Sequence, residues 1–154
     1  MRLAIFLFTA TVALAQSPPK LSLTFIDITK AESSFTSRQL LAGNATIPIK
    51  SGEITSQKFQ ASLTSFQPDP DNARHGAVSW TVRVSPETGE IPQWSMSSLQ
   101  LVLTGQPEPG SYTGVLTVKD PDDTKKLPPL QRQIRIVVPN PEVLVSKLST
   151  VFVR

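Results

Sequence analysis

The sequence predicts an all-β protein built as a sandwich of two antiparallel sheets. Apolar and polar residues alternate in a series of short segments, which is the pattern of strands with one buried and one exposed face. Turn-forming residues separate these segments, including 14 prolines in a chain of 154 residues. No stretch keeps a helical period over the ten or so residues that a helix requires. About seven to nine short strands with such turns favour a two-sheet sandwich.

The strands are predicted in chain order from their alternation. Pro48 interrupts the second strand, so we expect that strand at the edge of a sheet. The most regular segment is the fourth, in which Ser79, Thr81 and Arg83 separate the apolar positions. The segments are Leu21 to Phe25, Thr46 to Lys50, Phe59 to Ser65, Val78 to Val84, Leu99 to Leu103, Tyr112 to Val118 and Leu130 to Val138.

Two aromatic residues refine this prediction to an immunoglobulin-like sandwich. Trp80 lies in the middle of a strand, where such folds bury a large aromatic side chain. Tyr112 begins a late strand directly after Pro109 and Gly110. That is the place of a tyrosine-corner residue, whose hydroxyl bonds to nearby backbone.

The N-terminus predicts export. A short basic start at Arg2 precedes an apolar stretch that ends in Ala13-Leu14-Ala15, a pattern that signal peptidase accepts. We therefore predict a signal peptide over residues 1–15 and a sandwich domain over residues 16–139. The apolar stretch is shorter than the ~20 residues of a membrane-spanning helix, so we expect no membrane span after cleavage. The expected location is secreted or periplasmic.

Composition narrows the class of protein further. The chain has no cysteine, which excludes disulfides and thiolate metal sites and favours a bacterial exported protein over a small secreted animal module. Its net charge is +3, but the basic residues are scattered, and nucleic-acid binding requires a clustered basic face. We therefore expect no nucleic-acid partner.

Residues 140–154 form a separate segment after Asn140-Pro141. It is rich in valine and leucine, which favours a further strand over a helix. Three interpretations remain open: the last strand of this sandwich, an edge strand that pairs with a partner, or the beginning of a longer continuation.

The middle of the chain resembles the BACON-like modules of exported bacterial proteins. The segment from Trp80 to Pro92, WTVRVSPETGEIP, is similar to their W-x-x-V-S-P-x-x-G-x-x-P signature, with one extra residue before Val84. PGSYTGVLTV, ending at Val118, resembles their G-x-Y-x-G-x-I-x-V strand, and Leu23-Thr24-Phe25 resembles their opening strand. The resemblance implies an immunoglobulin-like fold and the binding of carbohydrate or mucin. Independently of it, Ser85-Pro86 with Gly89 is a turn signal.

No residue pattern predicts catalysis or a cofactor. His75 is the only histidine, and it lies in a polar turn without a G-x-S-x-G nucleophile motif elsewhere. The acidic residues lie in loops without an apolar pocket that would shift a pKa for acid–base chemistry. We therefore expect a protein that is not an enzyme.

Three sets of residues are candidate binding sites. Two Asp-Pro-Asp loops offer clustered oxygen ligands for Ca²⁺, which they can share if they meet at one end of the sandwich; the alternative is that they are only turns. Trp94, outside the alternation, is either a flat surface for a sugar or a cap on the core, with the cap favoured, and Tyr112 accompanies it as a ligand-binding candidate. Asn44 begins an N-glycosylation pattern that has meaning only in a eukaryotic host. The aspartates of the two loops are Asp69, Asp71, Asp120 and Asp122.

Two function classes follow from these observations. The first is an exported structural or interaction domain that joins a protein partner through strand edges. The second is an accessory module that binds a glycan through Trp94. The absence of an attached enzyme domain slightly favours the first.

Overall fold

The computed structural model describes residues 22–70, 79–122 and 127–140. The predicted signal peptide, the segment after Asn140, Asp71 and His75 lie outside these ranges. Within them the chain forms ten strands and one short helix. They are β1 (Leu23–Phe25), β2 (Glu32–Thr36), α1 (Ser37–Leu41), β3 (Thr46–Ser51), β4 (Gln57–Leu63), β5 (Gln67–Pro68), β6 (Thr81–Ser85), β7 (Thr88–Ile91), β8 (Met96–Thr104), β9 (Gly110–Lys119) and β10 (Leu130–Val138).

The strands form two sheets, which confirms the predicted sandwich. The four-stranded sheet has the order β1-β3-β8-β6. The six-stranded sheet has the order β2-β10-β9-β4-β7, and β5 also pairs with β9. The second sheet is mixed, because β2 runs parallel to β10 while the other pairs are antiparallel. The expectation of purely antiparallel sheets was therefore wrong at this one pair.

Two chain segments cross from one sheet to the other, on opposite sides of the sandwich. On one side β1 pairs with β3, and β2, a few residues later, pairs with β10. On the other side β6 pairs with β8, and β7 pairs with β4 after a bend at Pro86 and Glu87. Each segment is therefore hydrogen-bonded to both sheets.

The core lies between the sheets and follows the predicted alternation. Leu99 and Leu101 of β8 are fully buried, as are Ile134 and Ile136 of β10. The intervening residues of both strands are exposed or half-buried. The buried row of β10 begins with Arg132. Each sheet thus buries one face, as the alternation predicts.

Arg132 closes the side of the sandwich between β1 and β10. Its side chain is buried, and its guanidinium carbon lies 4.1 Å from the centroid of the Phe25 ring. One guanidinium nitrogen donates to the carbonyl oxygen of Asp27. Burial lowers the pKa of Arg132, because desolvation disfavours the charged form, although the nearby Asp27 opposes this effect.

The expected edge position of the strand with Pro48 was wrong. The strand β3 lies between β1 and β8. Pro48 is tolerated there because its backbone points towards the side of β1, where its carbonyl oxygen accepts a hydrogen bond from the Ile26 amide at 3.3 Å. Because β1 ends at Phe25, the amide that Pro48 lacks would lie beyond the regular hydrogen-bond ladder between β1 and β3.

The helix α1 was not predicted, although the sequence carries its start signal. Thr36 is the N-cap, and its hydroxyl accepts from the Gln39 amide while the Gln39 side chain accepts from the Thr36 amide. This is a capping box, whose T-x-x-Q pattern is legible in the sequence. The helix has five residues, too few for an apolar periodicity to show.

Candidate functional site

A groove runs between the open edges of the two sheets, beside β4 and β6. The strand β6 is the edge of the four-stranded sheet in the described part of the chain. The strand β7 covers β4 only from Gln57 to Gln60. From Ala61 to Leu63, β4 has β9 on one side and the groove on the other. We call this feature the edge groove.

The edge groove consists of two adjoining cavities. Their volumes are about 310 and 270 Å³, and they share Leu63, Val82 and Arg83 as lining residues. The upper cavity, at the end of the sandwich where β9 begins, also contacts Phe66 and Trp80. The groove is therefore lined by both apolar and polar residues and passes along β6.

The backbone groups of β6 that bond to no described strand face the edge groove. The Leu101 amide donates to the Ala45 carbonyl oxygen at 2.8 Å, so Leu101 points its backbone towards β3. Because backbone direction alternates along a strand, Val102 points towards β6, where it pairs with Arg83. Val82 and Val84 therefore direct their amide and carbonyl groups away from β8, to the open side.

The same reasoning applies to β4. The Thr64 amide donates to the Val115 carbonyl oxygen of β9 at 3.0 Å. Leu63, one residue earlier, therefore directs its backbone away from β9 and towards the groove. The Ala61 amide faces that side too, and it donates to the Glu87 carbonyl oxygen at 2.7 Å, which closes the groove at its lower end.

Charged side chains mark the rim of the edge groove. Arg83 lines both cavities, and Glu87 lines the lower one. Both residues are exposed, and neither makes an ion pair within the described residues. Since β6 runs from the upper end to the lower end, the rim presents a positive charge first and a negative charge about four residues later.

Tyr112 belongs to the core and not to a ligand-binding surface. Its side chain is 1% exposed, and its ring meets the Trp80 ring edge-on at a centroid distance of 4.9 Å. Its hydroxyl donates to the Glu108 carbonyl oxygen at 3.0 Å, as in a tyrosine corner. Burial, with a smaller effect of the Glu108 charge, raises the pKa of Tyr112. The ligand-binding assignment of Tyr112 was therefore wrong, because a ligand has no access to it.

Trp94 is exposed, so the favoured expectation that it caps the core was wrong. Its side chain is 57% exposed, and its φ of 54° lies in the left-handed region. The Ser95 amide donates to the Pro92 carbonyl oxygen at 3.1 Å, which places Trp94 third in a tight turn, a position that favours glycine. Met96 and Ile54 are also exposed at this end of the sandwich. A bulky residue is held in strained backbone at the surface.

Asp69 and Asp120, the described first aspartates of the two loops, lie at opposite ends of β9. The Asp69 amide donates to the Ser111 carbonyl oxygen near the start of β9, whereas Asp120 directly follows its last residue. Eight residues of strand separate them by about 25 Å. A calcium ion shared by the two loops is therefore excluded by this geometry.

The described aspartates are bound to other groups of the protein. The Asp69 carboxylate pairs with Arg135 at 2.8 Å and accepts from the Thr113 hydroxyl at 2.6 Å. The Asp122 carboxylate pairs with Lys58 at 2.8 Å, and this interaction raises the pKa of Lys58. Asp120 accepts from the Asp122 amide at 2.9 Å. Within residues 22–70, 79–122 and 127–140, no group of three or more acidic or histidine side chains is arranged to hold a metal ion.

Asn44 lies in the loop between α1 and β3, and its side chain is exposed. Its backbone amide donates to the Gln39 carbonyl oxygen at 2.8 Å. The glycosylation hypothesis for Asn44 stays a prediction.

Solved structures share this architecture. The ASH/PapD-like domain 7 of human CEP192 is 12% identical over 88% of this chain and 97% of that domain, with a TM-score of 0.56. The fold is immunoglobulin-like. The Salmonella enterica SafB chaperone with SafA pilin (12% identity, 82% of this chain and 58% of that one, TM-score 0.49) and the E. coli chaperone DraB (16% identity, 79% and 56%, TM-score 0.45) are more distant in shape.

The sequence comparisons give no closer assignment. No protein-family model and no curated protein sequence matches the chain. The immunoglobulin-like part of the prediction is thus confirmed by structure, and the BACON-like resemblance stays a prediction. In the described ranges, no helix has the length and apolar character to cross a bilayer.

Sequence reasoning missed the edge groove. Val82 and Val84 were assigned to the core from their alternation, and they are buried. Which strand their backbone pairs with is not encoded in that alternation. The local signal was the sequence V-S-P in front of Glu87, which ends β6 and starts the crossing to the other sheet.

Proposed function

We propose that this protein is an exported, non-catalytic interaction domain that binds an extended segment of a protein partner in the edge groove. The observation that carries the proposal is the side of β6 that pairs with no other strand within residues 22–70, 79–122 and 127–140. There Val82 and Val84 offer backbone amides and carbonyls beside cavities lined by both apolar and polar residues. An added strand gains main-chain hydrogen bonds from such an edge, and pockets along it select alternate side chains.

The outer side of β2, one of the two edges of the second sheet, is less suited to this role. The outer side of β2 offers Glu32 and Ser34, because the Ala31 carbonyl oxygen already accepts from the Gln133 amide of β10 at 3.2 Å. Thr36 uses its amide in the cap of α1. Glu32 and Ser34 have exposed side chains, and a charged residue on a short edge is a feature that discourages strand addition.

A peptide-display experiment tests the proposal. Random twelve-residue peptides are selected on purified residues 16–154, and the strongest binder is measured against two proline variants. Val82→Pro removes a groove-facing amide, and Ser34→Pro removes the equivalent outward amide of β2. We expect Val82→Pro to weaken binding about tenfold, the effect of about 1.4 kcal/mol, and Ser34→Pro to leave it unchanged.

The bound peptide provides a second criterion. Methylating the peptide's amides on alternate residues should abolish binding in one set and spare it in the other, since an added strand bonds through alternate residues. Near-ultraviolet circular dichroism checks that both proline variants are folded. Equal binding by the two variants, or equal tolerance of both methylation patterns, contradicts the proposal.

Trp94 favours glycan binding as a second candidate function. An exposed indole offers a sugar ring a flat apolar face, and strained backbone clusters at functional positions. On a panel of mucin and polysaccharides, Trp94→Gly should lose any binding that the unchanged protein shows. The same variant should be no less stable, because glycine adopts a φ of 54° freely. Binding that survives in Trp94→Gly excludes this site.

A further inference from the structure

We infer that the exposed surface around Trp94 binds a glycan that carries a negative charge, and that Lys50 is the residue that recognises this charge. This inference rests on glycan binding as the second candidate function, since it names the class of sugar that Trp94 contacts. It is drawn from the position of Lys50 beside the Trp94 turn, the charges of the four-stranded sheet, and the hydroxyl groups around Lys50.

Lys50 lies close to Trp94 on the outer face of the four-stranded sheet. It pairs with Met96 across β3 and β8, and both side chains are exposed. The Cα atoms of such a pair are about 5 Å apart. Trp94 precedes Met96 by two residues, so the Cα atoms of these two residues are at most about 7 Å apart. The indole and the Lys50 ammonium group are therefore within reach of one short oligosaccharide.

No described carboxylate balances the charge of Lys50. It makes no ion pair with any described residue. The four strands of its sheet, β1, β3, β6 and β8, contain no aspartate or glutamate. Glu53 and Glu90, the acidic residues closest along the chain to Lys50 and Trp94, line a separate cavity beside Gln57. An exposed cation without a carboxylate partner attracts a negatively charged ligand.

The neighbours of Lys50 favour a glycan over an anionic lipid surface. Thr24 pairs with Lys50 on the side of β1, and Ser98 is exposed two residues after Met96. Hydroxyl groups such as these bond to sugar hydroxyls, whereas the apolar interior of a bilayer offers them no partner. The Trp94 indole adds a flat face for a sugar ring. A sugar that carries a carboxylate or a sulfate matches these groups.

Calorimetric titration of the 16–154 protein with defined oligosaccharides tests the inference. We expect tetragalacturonate to bind, and a sulfated galactan tetrasaccharide shows whether a sulfate serves as well as a carboxylate. The methyl ester of tetragalacturonate should bind about fivefold more weakly, because it keeps the sugar chain and loses the charge. Acrylamide quenching of tryptophan fluorescence should decrease on binding, because Trp94 is exposed whereas Trp80 is buried.

Substitutions of exposed lysines separate the effect of Lys50 from that of net charge. Lys50→Gln should weaken the binding of the charged sugar about fivefold, the effect of losing a surface ion pair. Lys50→Arg keeps the charge and should bind like the unchanged protein. Lys119→Gln removes an exposed lysine from β9 in the other sheet, and this control should have no effect. Thermal unfolding checks that all three variants are folded.

The outcomes distinguish this inference from the candidate function on which it rests. If Trp94→Gly abolishes binding but Lys50→Gln does not weaken it, or if the methyl ester binds equally well, the charge preference is wrong and glycan binding stands. If no sugar binds, or if binding survives in Trp94→Gly, both are wrong. Binding to vesicles of phosphatidylserine and phosphatidylcholine, without binding to either charged sugar, also overturns the inference and indicates a lipid surface.

Discussion

Replacing Trp80 by alanine is expected to lower the free energy of unfolding by about 3–5 kcal/mol. The indole is 4% exposed and lies between two other aromatic rings. It meets Tyr112 edge-on and lies 5.6 Å from Phe66, so its removal leaves a cavity under the upper end of the sandwich. The measurement is urea denaturation followed by far-ultraviolet circular dichroism.

The chain contains its own control for this prediction, because it has two tryptophans. Trp94→Ala removes the same side chain from an exposed turn and should change the free energy of unfolding by less than about 0.5 kcal/mol. Similar denaturation midpoints for the two variants would contradict the assignment of Trp80 to the core.

Replacing Gly89 by valine is expected to cost about 1–3 kcal/mol through overpacking. Gly89 lies in β7 directly opposite Phe59 of β4. A Cβ atom at Gly89 would lie 2.8 Å from two atoms of the Phe59 ring, closer than carbon atoms approach in proteins. The Phe59 ring is 1% exposed, so it can move only within the core.

Thr88→Val is the matched control for this prediction. It places the same side chain at the neighbouring position of β7, where the residue is exposed. Thermal unfolding should show a lower midpoint for Gly89→Val and an almost unchanged one for Thr88→Val. A Phe59→Leu change in the Gly89→Val protein should recover part of the loss, and failure to do so would point to backbone strain as the cause.

Gly89 also illustrates how far the sequence predicted this structure. It was assigned to a turn on residue type, but it lies within a strand, and a close contact with Phe59 accounts for it. The turn itself lies at Pro86 and Glu87, as Ser85-Pro86 predicted. Local patterns such as the alternation of Val82 and Val84 report correctly which side chains are buried, because burial on one face imposes a period of two.

Those patterns did not predict which strands pair with each other. The place of Pro48 in an inner strand depends on where β1 ends, and the parallel pairing of β2 depends on β10, about 100 residues away along the chain. The edge groove has the same origin, since it exists where β7 stops covering β4. Trp94 was recognised as a candidate because it falls outside the alternation, whereas its exposure follows from the geometry of one turn.

The two crossing segments determine how the sandwich responds to force. When the sheets of a sandwich are joined by a crossing segment on one side only, pulling them apart separates them first on the other side, because only loops hold them together there. Here β1 and β2 join the sheets on one side, and β6 and β7 join them on the other. Separating the sheets therefore requires the breaking of backbone ladders on both sides at once. Other sandwiches resist such separation through a disulfide between the sheets. This chain has no cysteine, and backbone hydrogen bonds provide the resistance instead.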